Sequence, residues 1–125
     1  MARILVVDDD RKVRNAFRRV LESEGYEVAF AEDGVQGLQL YRDGGADLII
    51  TDLFMPGGGG VEMIMALKRD FPDVKIIAIS GGGPTFSAES YLDVAESIGA
   101  TRIFTKPIGR VELLTAVREQ LKKPA

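Results

Sequence analysis

The chain has 125 residues, 46% of them hydrophobic, and a formal net charge of -3: enough for one core, too little for two. It contains no cysteine and no histidine, which removes disulfides, thiolate metal sites and any imidazole base, ligand or phosphoryl carrier. A histidine needed by the chemistry has to come from another molecule.

In chain order, the apolar run Ile4 to Val7 predicts a first buried strand, and it ends in Asp8, Asp9 and Asp10. The run is too short, and its flank too acidic, for a signal peptide. No stretch approaches the roughly 18 to 20 apolar residues of a membrane span, so a soluble, cytoplasmic protein is expected. Val13, Phe17, Val20 and Leu21 recur at helical spacing, with Asp9 or Asp10 as N-cap and Gly25 as the stop. Glu27 to Ala31 reads as an outer strand. Asp33 and Gly34 open a second helix that turns Val35 and Leu38 inward and ends at Gly44-Gly45. Basic residues such as Arg11, Arg14, Arg18, Arg19, Lys122 and Lys123 lie mostly on amphipathic helices among acids, which argues against direct nucleic-acid binding.

The run Asp47 to Thr51 predicts a third strand, buried on both faces, that delivers Asp52 at its carboxyl end before Met55-Pro56. After Gly57 to Gly60, Val61, Ile64 and Leu67 mark a third helix ending before Phe71-Pro72. Lys75 to Ser80 is a fourth strand with a hydroxyl at its end. The loop Gly81-Gly82-Gly83-Pro84 leads to a fourth helix with Ser87 as N-cap, Tyr91, Ala95 and Ile98 on one side, and Gly99 as its end. Arg102 to Thr105 is a short fifth strand followed by Lys106-Pro107, and Val111, Leu114, Val117 and Leu121 line the last helix. Five strands alternating with five helices predict a single α/β domain over residues 1–125. Its doubly wound parallel sheet is covered on both faces, in strand order 2-1-3-4-5. Neither glycine loop matches a phosphate-binding pattern, because no Gly-Lys-Ser/Thr follows.

In such a sheet the residues ending the central strands share one crevice: Asp8 and Asp9 from the first, Asp52 from the third, Ser80 from the fourth, Lys106 after the fifth. Alone, each has an ordinary use as a cap, a strand-end hydroxyl or a surface charge. Together, carboxylates about 4 Å apart repel by roughly 4 kcal/mol at an effective dielectric near 20 and call for a cation. Magnesium, which keeps several waters and accepts one or two carboxylates plus a phosphate oxygen, suits such a site. Asp52 is then a carboxylate nucleophile for a phosphoryl group, with the metal and Lys106 neutralising charge on the phosphoryl oxygens.

Val6-Val7-Asp8-Asp9-Asp10, Asp52-Leu53-Phe54-Met55-Pro56 with Gly60 beyond, Ile79-Ser80-Gly81 and Phe104-Thr105-Lys106-Pro107-Ile108 together resemble a two-component response regulator receiver domain across essentially the whole chain. The resemblance implies a phosphoacceptor at Asp52, charged from a phosphohistidine on a sensor histidine kinase or a histidine phosphotransfer protein. It implies Mg2+, or another divalent cation such as Mn2+, on Asp9, Asp52 and the Phe54 backbone carbonyl, with Asp8 reached through water. It further implies Lys106 on the phosphoryl group, Ser80 moving to bond it, and a cis peptide before Pro107. A protein of this kind catalyses at most its own phosphorylation and dephosphorylation. It signals to a downstream protein target through its fourth helix, fifth strand and fifth helix, in some cases as a phosphorylation-dependent dimer.

Three positions depart from the pattern. Ile103 stands where the family usually has an aromatic switch residue, while Phe104 next to it is expected to face the core. The loop through Gly81, Gly82 and Gly83 is longer than usual and is expected to order when Ser80 engages a phosphoryl group. Phe54 places an apolar ring near the path of hydrolytic water, which implies slow loss of phosphate. The alternatives are a phosphorylation-independent pseudo-receiver acting as a protein-binding module, or an aspartate-nucleophile phosphatase of the haloacid dehalogenase type. The second wants a general acid two residues after Asp52, where Phe54 stands.

Overall fold

The structure, a computed structural model, describes residues 2–53, 55, 59–81 and 87–122, without the side chains of Ala88, Glu89, Tyr91 and Leu92. The expectations placed on Phe54, Gly82, Gly83 and the Tyr91 ring lie outside these residues. The elements run β1 (Arg3–Val7), α1 (Arg11–Ser23), β2 (Glu27–Ala31), α2 (Gly34–Gly44), β3 (Leu48–Asp52), α3 (Gly60–Asp70), β4 (Ile76–Ser80), α4 (Ala88–Ser97), β5 (Arg102–Thr105) and α5 (Arg110–Lys122). All strands are parallel, in the order β2-β1-β3-β4-β5. The continuous apolar runs become the central strands because only residues apolar on both sides can be covered by helices on both faces. Every residue of β3 and of β4 is buried.

Alternation along the strands divides the core in two. Leu5, Val7, Ile49, Ile76 and Ala78 meet Met63, Ile64 and Leu67 of α3 and Ala95 of α4. Ile4, Val6, Ile50, Ile77 and Ile79 meet Phe17 and Leu21 of α1 and Leu113, Leu114, Ala116 and Val117 of α5. Each such fully buried Leu or Ile contributes roughly 1.5–3 kcal/mol of transfer free energy, so the sheet position of β3 is strongly determined. Ile103 packs on the first side and Phe104 on the second, as strand alternation requires. Asp10 caps α1, accepting the Lys12 N–H at 2.8 Å. Ser87 caps α4, accepting the Ser90 N–H at 3.2 Å. Gly25, at φ 86°, turns the chain out of α1.

Two helices take a different rotational setting from the one their apolar residues suggest. Val35 of α2 faces solvent, 72% exposed. The reason is Gly37, where an added Cβ would lie 2.8 Å from Met63 Sδ and 3.0 Å from Val7 Cγ2. The helix touches its neighbours through that glycine, and Val35 is about 200° round the axis from it. Val111 of α5 is likewise 78% exposed. That helix packs through Leu113, Ala116, Val117 and Gln120, a spacing of i, i+3, i+4, i+7, which sends Val111 to the opposite side. Met63 and Gln120 are therefore core residues that periodicity did not single out. Among the described residues no helix is long and apolar enough to cross a membrane.

Candidate functional site

Parallel strands put all their carboxyl ends on one edge, and the candidate residues gather there. Asp8 follows β1 directly, its N–H still bonded to the Ala31 carbonyl at 3.1 Å as β1 pairs with β2. It is buried, 2% exposed. One of its oxygens accepts the Asp10 N–H at 2.9 Å, and the other accepts from Lys106 Nζ at 3.1 Å. Its carbonyl is held by Arg14 Nη1 at 2.6 Å, a role for Arg14 that no local pattern announces. With Asp10 engaged as the helix cap, Asp9 is the exposed acid left beside the cluster.

Asp52 is the last residue of β3, and its backbone is fitted tightly against the start of α3. The Thr51 hydroxyl donates to the Asp52 carbonyl at 2.7 Å. A Cβ on Gly60, the first residue of α3, would collide with that same carbonyl oxygen. Only glycine lets α3 begin this close, and so the acid comes with a glycine eight residues on. Lys106 stands between the two acids, its Nζ 2.8 Å from Asp52 Oδ2 and 3.1 Å from Asp8 Oδ2. Its N–H donates to the Ser80 carbonyl at 3.0 Å, Gly81 lies against its aliphatic stem, and the Lys106–Pro107 peptide is cis. Ser80 ends β4 and is fully buried.

Burial raises the Asp8 carboxyl above its ordinary value of 3.8, against the opposing pull of the Asp10 N–H and of Lys106. Burial would by itself lower the Lys106 ammonium. Its hydrogen bonds to, and attraction by, Asp52 and Asp8 outweigh that and hold it above the usual 10.5. Asp8, Asp9 and Asp52 each offer an oxygen within 4.8 Å of one another. Three hard oxygen donors, one of them on an exposed residue, match a divalent cation that keeps part of its water shell; they offer nothing to a soft metal.

The family model for the response regulator receiver domain matches residues 4–118. Response regulator MprA of Mycobacterium sp. (strain KMS) is 36% identical over 121 residues, which cover 97% of this chain and 51% of that protein. The chain thus spans about half the length of the curated relatives it matches. A response regulator receiver domain protein (CheY-like) from Methanospirillum hungatei JF-1 superposes with a TM-score of 0.87 at 28% identity, covering 97% of this chain and 94% of that one. Response regulator protein TrrA from Thermotoga maritima, in complex with Mg2+-BeF, gives 0.84 at 32% identity, covering 96% and 99%.

Proposed function

Because the chain belongs to the response regulator receiver domain family, we propose that it takes a phosphoryl group onto Asp52 from a phosphohistidine of a sensor histidine kinase or histidine phosphotransfer protein. The observation that carries this is the single ammonium of Lys106 lying between the Asp52 and Asp8 carboxylates, with Asp9 alongside. An Asp52 oxygen forms the new O–P bond while the N–P bond to the donor imidazole breaks, and the imidazole leaves with the electron pair and takes up a proton. Lys106 stabilises charge on the phosphoryl oxygens, and Ser80, at the same edge, donates to one of them. Asp9 and Asp52 would hold Mg2+, with Asp8 reached through water, and the family resemblance adds the Phe54 backbone carbonyl as a further donor. The ion, when bound, screens the negative charge of acid and phosphoryl group from each other. That the 32% identical TrrA has been obtained in complex with Mg2+-BeF supports a Mg2+ ion at the candidate site here. The face formed by α4, β5 and α5 passes the state to a protein target or to a second copy.

The test uses a small-molecule phosphodonor with Mg2+ and intact mass as the readout. The parent should gain one phosphoryl group and Asp52→Asn none. A parent that stays unmodified, or an Asp52→Asn variant modified as readily, defeats the proposal, and the first result favours a binding module of the same fold.

A second expectation concerns Asp8. Its folded-state pKa is raised, so the folded protein holds this proton more tightly than the unfolded chain. Stability then falls as pH rises from 3.8 through the folded value, and above it the ionised acid is a net cost. Asp8→Asn should therefore raise stability in divalent-free buffer at neutral pH, and should weaken the extra stabilisation given by Mg2+. Urea unfolding with and without Mg2+ measures both. A destabilised variant that still responds fully to Mg2+ would contradict them.

A further inference from the structure

We propose that Arg14 is a positioning residue for the Mg2+ site: it holds the peptide plane between Asp8 and Asp9 and thereby sets the direction in which Asp9 offers its carboxylate. Of the four arginines on α1, Arg11, Arg18 and Arg19 are exposed, whereas the Arg14 side chain is only 14% exposed. Its Nη1 donates to the Asp8 carbonyl at 2.6 Å. That carbonyl belongs to the planar unit joining Asp8 to Asp9, so fixing its oxygen orients the backbone from which the Asp9 side chain leaves. The turn is also held from the other side. The Asp10 N–H donates to Asp8 Oδ1 at 2.9 Å, and the Asp10 carboxylate caps α1. The Asp9 side chain makes no hydrogen bond or ion pair among the described residues. Its placement therefore depends on the backbone that Arg14 holds.

The carbonyl bond is the stronger of the two ties that Arg14 makes. Its Nη2 lies 3.9 Å from Glu32 Oε1, on a side chain 74% exposed, where an ion pair contributes little. A charge-assisted hydrogen bond to the carbonyl of the buried Asp8 is roughly twice as strong as a neutral one. In metal sites, removing a partner that orients a ligand typically weakens metal binding about 10–100-fold. The sign of the effect separates positioning from plain electrostatics. A guanidinium beside the acids repels an incoming cation, so loss of its charge alone would tighten Mg2+ binding, whereas loss of a positioning contact loosens it. The choice of Mg2+ as the ion rests on the proposed function; the hold of Arg14 on the turn does not.

Arg14→Met keeps the aliphatic stem but removes donor and charge, and by calorimetry it should bind Mg2+ about tenfold more weakly than the parent. Arg14→Lys, with the charge and one donor, should fall between the two. Glu32→Gln should bind within about twofold of the parent. Arg14→Met binding as tightly as the parent or tighter overturns the proposal, as does Arg14→Lys falling as low as Arg14→Met. A loss in Glu32→Gln equal to that in Arg14→Met also overturns it, because the ion pair would then be the contact that matters. Without any ion, the Asp10 amide, which closes the turn, should exchange with solvent severalfold faster in Arg14→Met, while the Val20 amide farther along α1 keeps its rate. An unchanged Asp10 rate, or one that rises together with that of Val20, overturns the proposal. On the unaltered chain, a guanidinium held by the carbonyl rotates slowly and should give separate Nη–H signals with and without Mg2+; averaged signals overturn the proposal even where Arg14→Met does not fold. If the parent binds no Mg2+, the proposed function is wrong, and the Asp10 exchange still judges Arg14.

Discussion

Lys106→Met is expected to slow phosphoryl incorporation from a small-molecule donor by about 10²–10³-fold while binding Mg2+ at least as tightly as the parent. The two effects have opposite signs because one ammonium serves both. In this structure it donates to Asp52 Oδ2 at 2.8 Å and to Asp8 Oδ2 at 3.1 Å, oxygens that belong to the same cluster a cation would enter. Removing it leaves carboxylates within 4.8 Å of one another, a repulsion of roughly 3.5 kcal/mol at an effective dielectric near 20, and a divalent cation relieves it. In the proposed transfer the same ammonium is needed on the phosphoryl oxygens, where methionine offers nothing. Calorimetry with Mg2+ and the rate of mass gain separate the two roles. A variant that loses both to the same degree would mean that Lys106 only holds the site together. One that is phosphorylated at the parental rate would remove it from the chemistry.

The convergence of the candidate residues was readable from the chain because it follows from strand ends alone. Asp8, Asp52, Ser80 and Lys106 each terminate or follow an apolar run, and parallel pairing brings such positions to one edge whatever the helices do. Ile103 and Phe104 were placed on opposite sides by the pleat for the same reason. Helix rotation is a different matter. Val35 and Val111 looked internal because apolar residues usually are, yet the contact of α2 is set by the absent side chain of Gly37, and that of α5 by which arc of a broadly apolar helix meets the sheet. Periodicity reports that an amphipathic face exists; it fixes the angle poorly when alanine, glycine and glutamine share that face. Gly60 shows the intermediate case: its letter was visible beside Asp52, but its reason, the carbonyl lying where a Cβ would be, needed coordinates.

Gln120→Leu should stabilise the folded chain by about 1–3 kcal/mol, a rise in Tm of about 4 °C per kcal/mol for a domain of this size. The amide is fully hydrated in the unfolded chain, and on folding it enters a layer with Leu113, Ala116 and Val117 where no partner meets it among the described residues. Leucine of similar bulk carries no such penalty and adds the transfer free energy of its methyl groups. Gln120→Glu sets the sign: an added carboxylate at the same place should destabilise, increasingly as pH rises above the ordinary glutamate range, since burial opposes its ionisation. Urea unfolding of the three proteins at neutral and mildly acidic pH measures the order Leu above Gln above Glu. A Leu variant no more stable than the parent would mean that the amide is satisfied in solution. If the order holds, the polar residue lowers stability where an apolar one was available.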